Sequence, residues 1–397
     1  MTTKIGIATI HGKTNYGGAL QEFALQRVIR EMGYDPETVN FSIPILRWYD
    51  WFFRRLFTPA AYIRVLKKRR FCRRYRRELE EAPKRFRAFY QNGRSLSRRY
   101  EEVSDLRAAA PEYAACVTGS DQVWNPRLLW AKEYYMLGFM PEEKRISYAA
   151  SMGVNQLHAK LASACEEYLR NFAAISVRES NQVRLLGDIL HRPVVQVLDP
   201  TLLLNAATWL EWLAPFVVDT VKFLPKEPYI FCYAIIGWRG DVVTRKALRA
   251  ARKLADAMNV RVYAPIMRFN EGPVVVEEGV TPLFGIGPAE FVHLIHGAKA
   301  VVSNSFHATA FSINFRKPFL IQSDSDNEYM TMNARFSSIL EMFQLSERMI
   351  SSPENVKPQD LEMDYSHVDA IQSQWQEKSL NFLREALEKC TRNSHQE

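Results

Sequence analysis

The feature that most constrains this chain is an apolar strand that ends in small polar residues and turns at once into a helix. Ala300-Val301-Val302 is a short run of the kind a parallel sheet buries on both faces, and Ser303, Asn304 and Ser305 are each able to cap a helix start. His307 then falls in the first helical turn. In open α/β sheets ligands sit outside the carboxyl ends of the strands, where orphan N–H groups and the helix dipole favour an anion. A histidine placed there both binds an anion and moves a proton, so His307 is the first candidate for an active site.

The same unit recurs along the chain. Residues 4–10 read as a strand, 11–18 as a glycine-rich loop and 19–32 as a helix stopped by Gly33, a Rossmann-like opening. The loop is neither G-x-G-x-x-G nor a Walker motif, because Gly17-Gly18 stand where Gly-Lys is required. What remains is a loop that lets backbone approach a ligand closely, with Asn15 able to hydrogen-bond it. Further strands are expected at 34–41, at 113–117 before Ser120-Asp121, at 146–153, at 174–177 and at 194–198 before Asp199. The strand at 174–177 ends in Arg178, a candidate anion clamp, since a guanidinium grips carboxylate or phosphate through two parallel hydrogen bonds. A second set follows: strands at 229–236, 260–265 and 317–321 around the central stretch, with helices at 241–258 and from Pro288. A last helix, from about 368 to 390, carries Ile371, Trp375, Leu380, Leu383 and Leu387 in positions suited to packing across two domains.

The rhythm predicts an α/β protein of two Rossmann-like domains facing across a cleft, residues 1–205 and 206–365, closed by a helix in 366–397. His307 would face Arg178 across that cleft. A length of 397 residues agrees, being too long for one core. The five cysteines include no C-x-x-C pair, which leaves no disulfide framework or zinc site and suits a reducing, cytoplasmic setting. Residues 5–10 read as a first strand and not as a signal peptide, and no stretch has the apolar length to span a bilayer. No ligand cluster asks for a metal, and no cofactor is expected.

The net charge of +8 is concentrated: residues 47–107 hold 19 Lys or Arg against 7 Asp or Glu. That argues against a nucleic-acid channel and for a local patch. Here a helical, basic insertion at about 43–110 interrupts the first domain, with Trp48, Tyr49, Trp51, Phe52, Phe53 and Phe57 ahead of Lys67-Lys68-Arg69-Arg70 and Arg73-Arg74-Tyr75-Arg76-Arg77. Aromatics followed by dense positive charge suit the anionic inner face of a membrane or an acidic polymer. The alternative is a helical hairpin that packs its aromatics and solvates its arginines.

Six blocks in order carry a family resemblance: Asn15-Tyr-Gly-Gly-Ala-Leu-Gln-Glu-Phe-Ala-Leu-Gln26, Gly119-Ser-Asp-Gln-Val-Trp-Asn125, Tyr148-Ala-Ala-Ser-Met-Gly153, Ser176-Val-Arg-Glu179, Leu198-Asp-Pro-Thr-Leu-Leu-Leu204 and Asn304-Ser-Phe-His-Ala-Thr-Ala-Phe-Ser-Ile313. Together they resemble the polysaccharide pyruvyl transferase family. The resemblance implies a GT-B-like architecture and transfer of the pyruvyl unit of phosphoenolpyruvate to a sugar, as a cyclic ketal, in exopolysaccharide synthesis. It also implies that His307 is the family's histidine and Arg178 the arginine that contacts phosphoenolpyruvate. Two positions depart from it: Ser305 stands where members carry a donor-binding arginine, and Ala308 where glycine is common. The first leaves the donor site one charge short unless Arg239, Arg268 or Arg316 compensates.

That chemistry needs a proton for the methylene carbon, donors for carboxylate and phosphate, and a base near the hydroxyl. The expected roles are His307 as acid or leaving-group donor, Asp121 or Asp199 as base, and Arg178 as anion holder. Asn15, Gly17, Gly18, Ser120, Ser303, Asn304 and Ser305 would line the substrate, a glycan acceptor that membrane lipid would carry. The competing expectations are a GT-B glycosyltransferase using a nucleotide sugar and a non-catalytic glycan- or lipid-binding relative.

Overall fold

A computed structural model describes residues 2–12, 14–42, 70–217, 224–235, 241–265, 277–323 and 333–392. The segment with Trp48 to Arg69, and Arg239 and Arg268, lie outside the described residues.

Two wholly parallel sheets carry the chain. The first contains β1 (Lys4–Ala8), β2 (Asp35–Phe41), β3 (Leu96–Tyr100), β4 (Ala115–Thr118), β5 (Arg145–Ala150), β6 (Ala174–Val177) and β7 (Val195–Gln196), in the order β3-β2-β1-β4-β5-β6-β7. In the second are β8 (Tyr229–Tyr233), β9 (Arg261–Pro265), β10 (Val280–Leu283), β11 (Ala300–Ser303), β12 (Phe319–Gln322) and β13 (Met349–Ile350), in the order β10-β9-β8-β11-β12-β13. Each order reverses once, between β1 and β4 and between β8 and β11. Such switch points open the crevice where α/β folds bind ligands. The central strands are short and fully buried, as with Ala300, Val301 and Val302, because helices cover both faces of a parallel sheet.

Among the helices that position the site, α1 (Tyr16–Glu31) starts three residues before the expected Ala19, with Gly17 and Gly18 inside its first turn and Asn15 as its cap. It is buried on nearly every side, between the first sheet and two helices of the second domain, α4 (Pro288–Gly297) and α5 (Phe306–Asn314), which are labelled after α2 (Arg76–Gly93) and α3 (Ser180–Leu190). Tyr16 lies flat on Phe291, with centroids 4.6 Å apart, and donates to the Ile286 carbonyl at 3.1 Å. Behind it Trp209, fully buried, donates to the Thr201 carbonyl at 2.9 Å and meets Phe311 edge-on at 5.0 Å. Aromatic contacts that join both domains place their packing in one core.

Helix α6 (Asn333–Met342) also reaches the first domain: the Ser338 hydroxyl accepts from Ser180 N–H at 2.9 Å and bonds the Gln196 amide at 3.0 Å. The last helix, α7 (Val368–Arg392), contacts both domains through Gln372 on Asn314, Ser379 on Leu198 N–H and Lys389 on the Ala173 carbonyl.

The insertion is not helical throughout. Residues 96–100 form β3, which extends the first sheet, and the buried Arg94–Glu22 pair ties its start to α1. Its alternating Ser-Arg-Arg-Tyr face gave no apolar run to read, because an edge strand buries only some of its side chains. Helix α2 packs Leu79, Phe86 and Phe89 inward and pairs Arg85 with Glu290 of α4, while Arg73, Arg74, Arg76, Arg77, Lys84 and Arg87 are exposed. No helix among the described residues is long and apolar enough to cross a membrane.

Candidate active site

The carboxyl ends of the two sheets converge on a buried cluster. After β6 comes Arg178, after β7 Asp199, and after β11 His307. Arg178 Nε donates to Glu179 Oε1 and Nη1 to Asp199 Oδ2, both at 3.0 Å, and all three residues are at least 97% buried. Phe306 covers the guanidinium, its ring centroid 3.9 Å from Cζ. His307 Nε2 lies 3.7 Å from Asp199 Oδ2, within ion-pair range and beyond a direct hydrogen bond, and has no hydrogen-bond partner. Arg178 and His307 thus meet through Asp199.

Gly17 fixes the other face of the imidazole. A Cβ on Gly17 would stand 1.9 Å from His307 Nδ1, so only a glycine lets the first turn of α1 close against the ring. This contact joins the first strand unit of one domain to the central strand unit of the other.

Asp199 is built as an anchor. Its Oδ2 accepts from Ser120 Oγ at 2.7 Å as well as from Arg178, and its Oδ1 accepts from the Thr201 hydroxyl at 2.7 Å and amide at 3.0 Å. Burial alone would raise this carboxyl, but His307, Arg178 and Thr201 hold it well below the usual carboxylate range. A carboxylate so engaged is a poor base, and the expectation that Asp199 takes a hydroxyl proton gives way to one that orients His307 and Arg178. Burial likewise opposes the charge on Arg178, and Glu179, Asp199 and Asp121 outweigh it, so its pKa is raised.

Asp121 is the freer acid. It holds φ at 78°, bridges Ala150 in parallel, and accepts from Gln122 N–H through Oδ1 at 2.8 Å. Beside it β5 shifts register between Ser147 and Ala150, with Ala149 at φ 53°. Two non-glycine residues at positive φ, side by side at strand ends, are strain of the kind that collects at functional sites. Among the described residues no hydrogen bond engages Asp121 Oδ2, which leaves it available to a substrate hydroxyl.

Several expected substrate contacts are occupied by the framework. Asn304 takes N–H and C=O of Ile235 at 2.6 and 2.8 Å, and the Ser303 hydroxyl bonds the Tyr233 carbonyl and accepts from Ser305 N–H. Asn15 caps Gly18 at 3.3 Å, and Ser120 serves Asp199. Through these bonds the side chains fix the shape of the site. Ser305 differs: it is the N-cap of α5, yet its side chain makes no capping bond. Arg316, one expected replacement for the missing arginine, pairs with Asp369 in the first turn of α7.

Sequence reasoning missed Arg335, on the first turn of α6. It is 7% exposed, its Nε has no hydrogen-bond partner, and no ion pair engages it among the described residues. Burial, and then the charge of Arg178, lower its pKa to about 10. The readable signal was its place on the apolar stripe of Phe336, Ile339, Leu340 and Phe343, where an unpaired cation is costly.

The family model for polysaccharide pyruvyl transferase matches residues 15–323. Among solved structures, a UDP-N-acetylglucosamine 2-epimerase from Rickettsia bellii is similar with a TM-score of 0.54 and 10% identity over 98% of this chain and 97% of that one. LpCGTa in complex with UDP is similar with a TM-score of 0.50 and 9% identity over 98% of this chain and all of the other. These likenesses show the GT-B fold, two Rossmann-like domains face to face. No curated protein matches the sequence.

Proposed function

Because the chain belongs to the polysaccharide pyruvyl transferase family, we propose that it moves the pyruvyl group of phosphoenolpyruvate onto a sugar of a cell-surface polysaccharide or its lipid-linked precursor, forming a pyruvate ketal. The observation that carries this reading is the meeting of His307, Asp199 and Arg178 where the carboxyl ends of both sheets converge. The sugar hydroxyl adds to C2 of phosphoenolpyruvate, losing its proton to Asp121 while C3 gains one from His307 and becomes a methyl group. A second hydroxyl then forms the other C2–O bond and gives its proton back to His307, as the C2–O bond to phosphate breaks and phosphate leaves with the proton that Asp121 took. The buried guanidinium of Arg178 stabilises the carboxylate or phosphate, and Asp199 keeps His307 in place for both proton transfers.

Phosphoenolpyruvate should bind in calorimetry, and phosphate should appear only when a glycan acceptor is added. Saturable binding of a nucleotide sugar, with no response to phosphoenolpyruvate, would mark a GT-B glycosyltransferase instead. Acceptor binding without phosphate release would mark a non-catalytic relative.

The exposed arginines at 73–77, together with Lys84 and Arg87, support a lipid-linked acceptor at the anionic inner face of the membrane. Anionic vesicles should sediment the protein at low salt and release it at high salt, as screening shortens the reach of exposed charges. Protein left in solution at every salt concentration removes this part of the reading.

A further inference from the structure

Arg178 does not spend its whole guanidinium on acids. Nε and Nη1 hold Glu179 and Asp199, while Nη2 is buried without a hydrogen-bond partner. Arg335 presents a second buried guanidinium whose Nε is also unpartnered, within electrostatic reach of Arg178. Its other charged neighbours are Glu179 and Asp121, neither at ion-pair distance, and Glu179 already accepts from Arg178 and from Ser151 at 2.8 Å. Two buried like charges with idle N–H donors, each within the other's field, are a costly arrangement unless an anion comes between them.

The position of Arg335 is fixed from the first domain. Ser338 lies one turn further along α6 on the same side, and its hydroxyl is held by Ser180 N–H and Gln196. Ser180 opens the helix that directly follows Arg178-Glu179. The tie that docks α6 on the first domain therefore also holds the first turn of α6, with Arg335, near the turn that carries Arg178.

We propose that Arg335 and Arg178 form a two-arginine site for the phosphoryl group of the donor, with Arg335 supplying the charge that Ser305 does not. Arg178 Nη2 and the Arg335 guanidinium together offer N–H donors from two domains to one dianion, which suits phosphate better than a lone carboxylate. The site rests on the pyruvyl transfer reading for its donor but not for its anion.

The test is calorimetry with phosphoenolpyruvate and with inorganic phosphate on wild type, Arg335→Met and Arg335→Lys, beside the melting temperature of each protein without ligand. Wild type should bind both ligands, and Arg335→Met should weaken both by at least about tenfold, the least that losing a charge-assisted pair implies. Arg335→Lys, which keeps the charge and loses the fork, should fall between them. The ligand-free melting temperature of Arg335→Met should equal or exceed that of wild type, because an unpaired buried cation has been removed. Methionine-variant affinity within twofold of wild type would overturn the proposal, and so would a lower ligand-free melting temperature, the mark of a structural residue. Wild type that binds phosphate but not phosphoenolpyruvate removes the pyruvyl donor and leaves the phosphate arm to decide Arg335. Wild type that binds neither removes both.

Discussion

Two strand-to-helix turns meet in this site, and they are built from opposite materials. The turn after β6 is charged: Arg178 pairs with Glu179 and with Asp199, all buried. The turn after β11 is neutral: Ser303 and Asn304 tie it to the backbone at Tyr233 and Ile235. One turn holds a buried network of charge, and the other uses its polarity to fix the backbone that carries His307. A buried ion network costs desolvation and holds only while complete, whereas neutral bonds to backbone stabilise at any ordinary pH. On the proposed reading, the difference separates the residues that would handle the substrate from those that hold them still.

The largest effect expected is on His307. His307→Ala should lower turnover by at least about a hundredfold, the usual size of a general acid's contribution, with the unfolding midpoint little changed. A loss within about tenfold would return the catalytic role to the charged turn. Asp199→Asn comes next and should strike stability as well as rate. It leaves Arg178 half-paired in the interior, a change that costs about 3–5 kcal/mol when a buried pair is broken. The acid response follows from its sign. The Asp199 carboxyl titrates lower folded than unfolded, so its stabilisation is complete above about pH 4 and is lost as pH falls below that. Denaturant unfolding at pH 7 and pH 3.5 should show a smaller drop for Asp199→Asn than for wild type; equal drops would mean that the charged turn owes its stability to other groups.

The same contrast explains what the sequence made legible. Central strands and the helices behind them were readable because burial on both faces leaves unbroken apolar runs, as at Val301-Val302 and Ile5 to Ala8. The strands that went unread, β3, β10 and β13, all lie at sheet edges, and the edge strand β7 is only two residues long. Edge strands carry residues such as Arg98, Arg99 and Thr281, whose polarity suits a half-solvated ribbon and erases the periodic signal. At the site, residue type and strand-end position singled out Arg178, Asp199 and His307, which the fold brings together. Position alone does not say which way a hydroxyl or amide points, so Asn15, Ser120, Ser303 and Asn304 read as ligand donors although backbone or Asp199 already held them. Arg335 follows no strand, and its role depends on a contact between domains that no local pattern encodes.

A third variant acts on His307 from the first turn of α1. Gly17→Ala places a methyl group 1.9 Å from His307 Nδ1, and the imidazole must move from its place beside Asp199 to admit it. Backbone φ at this position is helical and needs no glycine, so the fold should tolerate alanine while turnover falls by about tenfold or more through misplacement alone. Equal turnover in Gly17→Ala and wild type would mean that His307 works from another rotamer.

The smallest effect isolates the neutral turn. Asn304→Ala removes two hydrogen bonds and leaves the Ile235 N–H and, in part, its C=O without their partner, although Thr244 still donates to that carbonyl at 2.9 Å. The cost should be about 1–3 kcal/mol, that of one buried backbone donor left unsatisfied. No charge is involved, so the loss should be the same at pH 7 and pH 3.5, in contrast to Asp199→Asn. Should the Asn304 variant instead lose more stability at one pH than the other, the neutral turn would be coupled to the ion network through His307, and the division between a charged turn that handles substrate and a neutral turn that aims would fail.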